Sequence, residues 1–330
     1  MDWDALQKKF DKKNVLQPIR NYPGQLRAAV ETGKKFFPTE TRAIEKIVFC
    51  GMGASGMAGL VVKEVLSSEI KVPIEVVEDY SLPAYADEKT LVVAISFSGN
   101  TEETIACFEE AKRRGSFAAA VASGGMLAET AEAKIIVPTL SQPRLGTISM
   151  AVALIFVLEK LGLVESMEKE LLDCAGFLEK ESGEIGKEAK KIALKLKGKF
   201  PIIEAPAEFG VLSYRLRVEL NENPKILALS NCLPEMNHNE INSEILPKNS
   251  CFLFFRDNEE SEKMKRRFEF TKKNFKKYPQ IEIRLNGKNK IEKIFYGIFI
   301  SALVSYYLAL LNKTDPEKIP VIQNLKKALV

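Results

Sequence analysis

The chain has 330 residues and a mass of 36.9 kDa, which at about 150 residues per domain indicates two domains. Hydrophobic residues make up 46% and charged residues 28% of the sequence, proportions that exclude disordered, collagen-like and low-complexity proteins. The net charge is +4, from 48 basic and 44 acidic residues. Because the basic residues form no long run, a nucleic-acid partner is disfavoured, whereas a small anionic ligand is compatible with this balance.

The cysteines predict neither a disulfide scaffold nor a metal site. They are odd in number and widely spread: Cys50, Cys107, Cys174, Cys232 and Cys251. The sequence has no CxxC motif and a single histidine, so a His/Cys metal site is not expected.

Two segments bear on location. The start, MDWDALQKKFDKKN, has acidic residues and no apolar stretch, which predicts no signal peptide and a cytoplasmic protein.

Residues 294–311, IFYGIFISALVSYYLALL, carry no charge over 18 residues, the lower limit for a membrane span. Because this stretch is single and contains glycine, serines and tyrosines, it predicts a helix buried in a core or an interface, and no membrane partner.

The first half of the chain alternates between two kinds of segment. Residues 1–42 are polar and predict a helical extension with a break at NYPG, 21–24. In residues 43–165, segments that predict helices separate strand-like runs at 46–50, 74–79, 90–98, 117–123 and 133–138. This alternation predicts a first domain built on a parallel, doubly wound sheet.

The second half repeats the plan more loosely. Residues 166–197 are rich in Lys and Glu and predict a helical connector. In residues 198–330, strand-like runs occur at 200–206, 225–230, 250–257 and 280–285. The predicted fold class is therefore α/β, with two doubly wound parallel-sheet domains arranged as αβα sandwiches.

Two loops carry the candidate ligand chemistry. GMGASG, 51–56, lies between a strand and a helix and fits the GxGxxG dinucleotide fingerprint, with Glu75 and Asp79 further on. SFSGNTEET, 96–104, places Ser96, Ser98 and Thr101 just before a helix. Three hydroxyls and the helix N-terminal amides make a cradle for a phosphate. The alternative is that these are only turn and N-cap residues.

The two loops together resemble a sugar isomerase (SIS) domain, a parallel sheet flanked by helices that binds phosphosugars. PRLGTISM (143–150), LNENPK (220–225), LPEMNHNEI (233–241) and the C-terminal NLKKAL further resemble the bifunctional phosphoglucose/phosphomannose isomerase family, which has two SIS domains. The resemblance runs from about residue 46 to the C-terminus. The SxSGxT loop and the NEN and NHNE motifs are its most specific parts.

The resemblance implies a set of substrate-binding residues: Gly53, Ala54, Ser55, Ser96, Ser98 and Thr101. Ala54 departs from the glycine that is usual in the family. Its methyl group is tolerated if φ is negative, but it could narrow the sugar pocket.

Aldose–ketose isomerisation moves a proton between C2 and C1 through a cis-enediol, so it needs a base, an acid for ring opening and positive charge near the enediolate. Glu222 is the predicted base because a carboxylate just before a proline lies at a helix end, and the family's proton-transferring glutamate matches it. A surface glutamate is the alternative. Glu219, three residues earlier, is not assigned to the chemistry.

His238 is the only histidine, and an imidazole can give and take a proton near neutral pH. The family uses a histidine in this motif for ring opening, whereas a structural histidine is the alternative. Glu240 could orient the imidazole or pair with a cation elsewhere.

Two cations complete the implied site. Arg144 can present a rigid fork to the enediolate oxygens, with a surface ion pair as the alternative. The family places a C-terminal lysine in the site, which maps to Lys326 or, one residue on, to Lys327. Cys50 is expected to be an inert core residue.

The resulting prediction is an isomerase of glucose 6-phosphate and fructose 6-phosphate, and also of mannose 6-phosphate and the same ketose. No metal or cofactor is expected. A homodimer is expected, because the apolar stretch 294–311 exceeds what one small domain easily covers, and the resemblance implies that the histidine comes from the neighbouring subunit. Two alternatives stay open: a SIS-type phosphosugar-binding regulatory protein without catalysis, and an NAD-dependent oxidoreductase.

Overall fold

The computed structural model describes residues 1–39 and 42–328, without the side chains of Lys326 and Lys327. The chain forms two compact units. The N-terminal unit is Asn21–Glu179, and the C-terminal unit combines Met1–Arg20 with Lys180–Val330. The first twenty residues thus group with the second half of the chain, and the division falls inside the long helix Glu168–Leu196.

The N-terminal unit is a five-stranded sheet with helices between its strands. Helices α1 (Trp3–Phe10) and α2 (Leu16–Arg20) precede it. Its elements are α3 (Tyr22–Gly33), β1 (Lys46–Cys50), α4 (Ala54–Val65), β2 (Ile74–Val77), β3 (Thr90–Ser96), α5 (Glu102–Arg113), β4 (Phe117–Ala122), α6 (Gly125–Thr130), β5 (Ala133–Ile136) and α7 (Thr147–Lys160). All strands are parallel, in the order β2-β1-β3-β4-β5. Strand β3 is buried along its whole length, which explains its unbroken apolar sequence.

The C-terminal unit repeats this plan with four strands. After α8 (Glu168–Leu196) come β6 (Phe200–Pro206), α9 (Gly210–Glu222), β7 (Leu229–Leu233), β8 (Ser250–Asp257), α10 (Glu262–Asn274), β9 (Gln280–Leu285), α11 (Lys290–Leu311) and α12 (Pro320–Ala328). The strands are parallel, in the order β7-β6-β8-β9. The predicted α/β class with two doubly wound parallel sheets is confirmed.

Two local predictions were wrong. The run at 225–230 is not a strand, because Lys225 has a left-handed backbone with φ of 60° and β7 begins only at Leu229. The NYPG break is narrower than expected, because Tyr22 and Pro23 already form the first turn of α3. Proline fits this turn, where its missing N–H has no helical acceptor.

Helix α11 contains the apolar stretch 294–311 and is the centre of the C-terminal unit's core. It is long and apolar enough to span a membrane, but its most apolar window is entirely buried in the structure of the single chain. The expectation that this stretch is too apolar to be covered without a partner was therefore wrong. Gly297 lets α9 approach closely, since a Cβ there would lie 2.4 Å from Leu212 Cδ1. The helix is therefore a core helix, as the sequence predicts.

Candidate active site

Two loops meet at the carboxyl edge of the N-terminal sheet. In the order β2-β1-β3, the chain leaves β1 toward one side of the sheet and continues from β3 toward the other. The crevice between the carboxyl ends of β1 and β3 is therefore the topological switch point, where ligands bind in open α/β sheets. The loop after β1 leads into α4, and the loop after β3 leads into α5. Ser55 Oγ joins them by accepting a hydrogen bond from Phe97 N at 3.1 Å.

The loop after β3 gathers the three predicted hydroxyls. Ser96 Oγ lies 2.9 Å from Thr101 Oγ1 and 3.5 Å from Ser98 Oγ. Ser96 is buried, whereas Ser98 is exposed. Thr101 precedes α5 but makes no side-chain capping hydrogen bond to it. Ser98 Oγ accepts from Asn100 N at 3.2 Å and Ser96 Oγ accepts from Thr101 N at 3.4 Å, so both serines also have the role of turn residues. The hydroxyls and the start of α5 together can bind a phosphate.

Gly99 fixes the shape of this loop. Its φ is 69°, and a Cβ there would lie 1.7 Å from Gly124 O. Leu127 N donates to Gly99 O at 3.1 Å, and Met126 N donates to Asn100 Oδ1 at 2.9 Å. A residue with a side chain cannot replace Gly99 without moving the loop.

The glycine loop after β1 is open to its surroundings. Gly53 has φ of 56°, and nothing lies within 4 Å of where its Cβ would be. Ala54 is the first residue of α4 and is not among the residues with positive φ. The backbone therefore accepts the methyl group that departs from the family pattern.

Arg144 lies in a 3-10 turn, Pro143–Gly146, that follows β5. Its side chain is buried rather than at the surface, and Nη1 donates to Gln142 Oε1 at 3.3 Å. The turn packs on the hydroxyl loop, since a Cβ at Gly146 would lie 2.6 Å from Phe97 Cε2. The N-terminal unit thus brings the hydroxyl cluster, Ser55 and the Arg144 turn to one edge.

Glu222 is the last residue of α9, at a helix end as predicted, and is half-buried. Lys225 Nζ donates to Glu222 O at 2.5 Å and to Asn223 O at 3.1 Å. An ammonium at this position stabilises the negative end of the helix dipole. Sequence reasoning missed Lys225, although a basic residue just after a helix end is a recognisable signal.

A buried polar network supports the last turn of α9. Glu219 is ion-paired with Arg215 and accepts hydrogen bonds from Asn223 Nδ2 at 2.7 Å and Ser305 Oγ at 3.1 Å. Asn223 Nδ2 also lies 2.8 Å from Ser305 Oγ on α11. Glu219 therefore has a structural role. Its bonds to Arg215, Asn223 and Ser305 fix the last turn of α9, at which Glu222 lies.

A groove of about 500 Å³ lies beside Glu222, between the end of α9 and the start of α12. Leu227 and Val321 form its apolar walls. Lys326 belongs to α12, but its side chain and that of Lys327 lie outside the described residues, so the register of the predicted lysine stays a prediction.

His238 ends a 3-10 turn after β7 and is exposed. Within the described ranges its imidazole makes no hydrogen bond. Glu240 Oε1 accepts from Asn231 Nδ2 at 2.7 Å, so the nearby glutamate is bound to an amide. Asn237 Nδ2 donates to Thr271 Oγ1 at 2.9 Å and ties this segment to α10.

The C-terminal unit does not bring Glu222 and His238 together. Helix α9 has 13 residues, about 20 Å at 1.5 Å per residue, and runs back from the carboxyl end of β6 to the edge where β7 begins. His238 follows β7 at the opposite edge.

The structure also bears on the cofactor alternatives. A dinucleotide-binding sheet has the strand order 3-2-1-4-5-6, whereas this sheet places β3 beside β1. In residues 1–39 and 42–328, no three His, Cys, Asp or Glu side chains are grouped to hold a metal ion. Cys50 is buried, and its contact with Cys107 together with burial raises the pKa of its thiol, in keeping with an inert core residue.

A parallel sheet with a hydroxyl-lined loop at its switch point defines the SIS-domain class of proteins, and the SIS domain model matches residues 42–161. A model of the bacterial phospho-glucose isomerase C-terminal SIS domain matches residues 185–329. The chain belongs to the bifunctional phosphoglucose/phosphomannose isomerase family: it is 33% identical to the member from Caldicellulosiruptor bescii over 96% of this chain and 98% of that relative.

Further comparisons agree with this assignment. The chain is 33% identical to the bifunctional phosphoglucose/phosphomannose isomerase of Thermoplasma volcanium, over 86% of this chain and 91% of the relative. The C-terminal domain of glucosamine-fructose-6-phosphate aminotransferase from Francisella tularensis has the same fold. Its TM-score is 0.72 at 16% identity, covering 93% of this chain and 98% of that structure.

Proposed function

We propose that the chain interconverts glucose 6-phosphate and fructose 6-phosphate, and mannose 6-phosphate and fructose 6-phosphate, through a cis-enediol. The hydroxyl cluster of Ser96, Ser98 and Thr101 at the start of α5 carries this proposal. A terminal phosphate bears nearly two negative charges, and hydroxyl and amide donors at a helix N-terminus match it.

The phosphate is bound by the loop after β3. The Ser96 and Thr101 hydroxyls bond to each other at 2.9 Å, and either can turn its proton toward a phosphate oxygen. Gly53 and Ser55 border the same edge through the loop after β1. Hydrogen bonds to an ionised group contribute about 1.5–3 kcal/mol each, so this loop provides most of the substrate affinity.

Glu222 takes the proton from C2 of the open-chain aldose and returns it at C1. The two aldoses are epimers at C2 and give the same enediol, so one carboxylate serves both if the intermediate turns about its C2–C3 bond. The polar network of Glu219, Asn223 and Ser305 fixes the last turn of α9, at which Glu222 lies. Arg144 stabilises the negative oxygens of the enediolate, and Lys326 adds a second positive charge.

His238 opens the sugar ring, and it reaches the substrate from a second copy of the chain. Within one sheet, Glu222 and His238 lie at opposite edges, so a single C-terminal unit does not offer both to one sugar. We therefore propose a homodimer with sites shared between copies, in the cytoplasm, and with no nucleic-acid or membrane partner.

The rival function is phosphosugar binding without catalysis. The cradle alone serves both functions, whereas a carboxylate at the end of α9 supplies the base that only catalysis requires. The purified chain is incubated with glucose 6-phosphate, and then with mannose 6-phosphate, while fructose 6-phosphate is measured. We expect the ketose from both. Saturable binding of both aldoses without ketose would identify a binding protein instead.

A further inference from the structure

Glu204 is a buried carboxyl group that the proposed reaction does not use. It lies in β6, the strand between β7 and β8, and none of its surface is exposed. In the part of the chain that the structure describes, neither of its carboxylate oxygens has a hydrogen-bond partner. An ionised carboxylate without donors is costly to bury, so such a group either keeps its proton or has a specific role.

The surroundings of Glu204 are apolar on the sheet face that it occupies. Its register partners are Asn231 on β7 and Phe254 on β8, and partners in register project to the same face. Phe254 packs there with Phe268 of α10 and with Met236 of the turn that ends at His238. Glu204 therefore lies beneath the segment that carries His238.

Three elements next to Glu204 carry charged or titratable groups. These are Glu235, His238 and Glu240 in the segment after β7, Arg256 in β8, and Arg267 and Glu269 in α10. Arg256 is held by Glu260, Glu269 and Glu282. Arg267 donates to Asn237 Oδ1 at 3.3 Å, and Glu235 accepts from Asn239 Nδ2 at 2.8 Å. Glu240 is the group whose charge acts on Glu204.

Asn231 connects the two glutamates. Its Oδ1 accepts from Cys232 N at 2.8 Å, which leaves Nδ2 to donate to Glu240 Oε1 at 2.7 Å. Glu240 begins the 3-10 turn Glu240–Asn242, two residues after His238. The His238 segment is thus held through the side-chain amide of Asn231, the residue that lies beside Glu204 on the neighbouring strand.

Burial first, and the charge of Glu240 second, raise the pKa of Glu204 well above its ordinary value. The protonated form of Glu204 is therefore favoured in this environment, beside the Glu240 side chain that accepts from Asn231. A second negative charge on Glu204 would repel Glu240.

We propose that Glu204 is buried with its proton, and that this proton keeps the His238 segment in place against the sheet by sparing Glu240 a second negative charge close by. Loss of the proton weakens the Asn231–Glu240 contact and releases the turn. Glu204 is thus a positioning residue, and its titration limits activity at alkaline pH; this last consequence rests on the proposed function of His238.

The sign of the effect on stability follows from linkage. The folded pKa of Glu204 is raised, so its contribution is fully present below the unfolded pKa and is lost as pH rises through the folded pKa. Glu204→Gln cannot titrate. We expect the stability of the mutant relative to the wild type to increase as pH rises above the unfolded pKa of a glutamate, about 4.3.

Because His238 is the only histidine, its ring gives a single signal in protein made with 13C-labelled histidine. In the wild type we expect this signal to change at alkaline pH, when the segment is released. Glu204→Gln should lack this alkaline change. Glu235→Gln, an exposed glutamate of the same segment, is the control and should keep it.

Persistence of the alkaline change in Glu204→Gln, or its absence from the wild type, overturns the proposal. If Glu204→Gln does not fold, Glu240→Gln takes its place. Because this variant lacks the neighbouring charge, its free energy of unfolding should fall less steeply with rising pH than that of the wild type. An unchanged slope overturns the proposal. Neither readout needs catalysis, so failure of the isomerase assay and failure of this proposal are told apart. In an active enzyme, kcat falls about tenfold per pH unit above the pKa of Glu204, and the fall is absent in Glu204→Gln.

Discussion

Glu222 and His238 lie at opposite edges of one parallel sheet: Glu222 closes α9 where the strands begin, and His238 follows β7 where that strand ends. The separation results from the connectivity of the doubly wound fold, since a helix that follows a strand returns to the starting edge. Under the proposed function, one sugar meets both groups because they come from different copies of the chain.

Mixed dimers test this arrangement. His238→Ala and Glu222→Gln chains carrying different affinity tags are unfolded, mixed and refolded, and the doubly tagged dimer is isolated. We expect each variant alone to be nearly inactive and the mixed dimer to regain up to about half of the wild-type activity per dimer, because one of its two sites is intact. A verified mixed dimer without activity would contradict the shared site.

Removing a hydroxyl from the phosphate cradle should weaken substrate binding. Ser98→Ala or Thr101→Val is expected to raise KM about tenfold for each 1.4 kcal/mol lost, with kcat little changed. Ser81→Ala, at an exposed serine of the same unit, is the control and should leave KM unchanged. Steady-state kinetics in both directions measure the effect. A collapse of kcat at constant KM would mean that these hydroxyls do not bind the phosphate.

The backbone of the cradle is as critical as its hydroxyls. Gly99→Ala forces a Cβ to within 1.7 Å of Gly124 O at φ of 69°, so the loop must move. We expect at least tenfold weaker binding of a phosphosugar analogue by calorimetry. Gly53→Ala is the matched comparison: φ is also positive there, but no atom lies within 4 Å, so only backbone strain of about 1–2 kcal/mol opposes it. Equal effects of the two substitutions would contradict the steric argument.

The sequence allowed most of the fold to be predicted, whereas the roles of the candidate site residues stay predictions. The unbroken apolar run of β3 is a local signal, and the structure has this strand where it was expected. The strand at 225–230 was misplaced because a left-handed lysine is not visible in a hydrophobic pattern. Strand β7 instead includes the polar Asn231, whose amide is used by Glu240.

Contacts between distant positions could not be predicted from the sequence. Ser305 approaches Asn223 and Glu219 although more than 80 positions separate it from either. Such pairs depend on how α9 and α11 pack, which one sequence does not show. The same limit applies to Glu204, which reads as one polar residue in a strand and becomes a candidate only when its burial and its neighbours are known.

Disrupting the network beneath Glu222 should impair both stability and catalysis. Asn223→Ala removes the donor to Glu219 Oε2 and Ser305 Oγ. Because it leaves buried polar groups without a partner, we expect a loss of about 2 kcal/mol in the free energy of unfolding and a fall in kcat that exceeds any change in KM. Ser305→Ala keeps the Asn223–Glu219 bond and should cost less. Denaturant unfolding measures the stability of each variant, and steady-state kinetics measure kcat and KM. If Asn223→Ala were destabilised but kept the full kcat, the network would not be needed to position Glu222.

Glu222→Gln tests the proton transfer itself. The amide keeps the shape of the side chain but cannot hold the C2 proton, so we expect kcat to fall by about 10²–10⁴, with binding of a phosphosugar analogue changed less than about tenfold. Both isomerisations should fall together because they share one enediol. Glu208→Gln, at an exposed glutamate of the same unit, is the control and should be fully active.

Exchange with solvent isolates the step that Glu222 performs. In deuterated water the wild type should introduce label at C2 of glucose 6-phosphate, because proton abstraction precedes completed turnover. Glu222→Gln should lose this exchange in proportion to its loss of kcat, as followed by NMR of the C2 proton. If exchange stayed near the wild-type rate while net turnover was lost, another group must take the proton. The base would then have to be sought at His238 or Glu240, and Glu222 would be left with a role in binding.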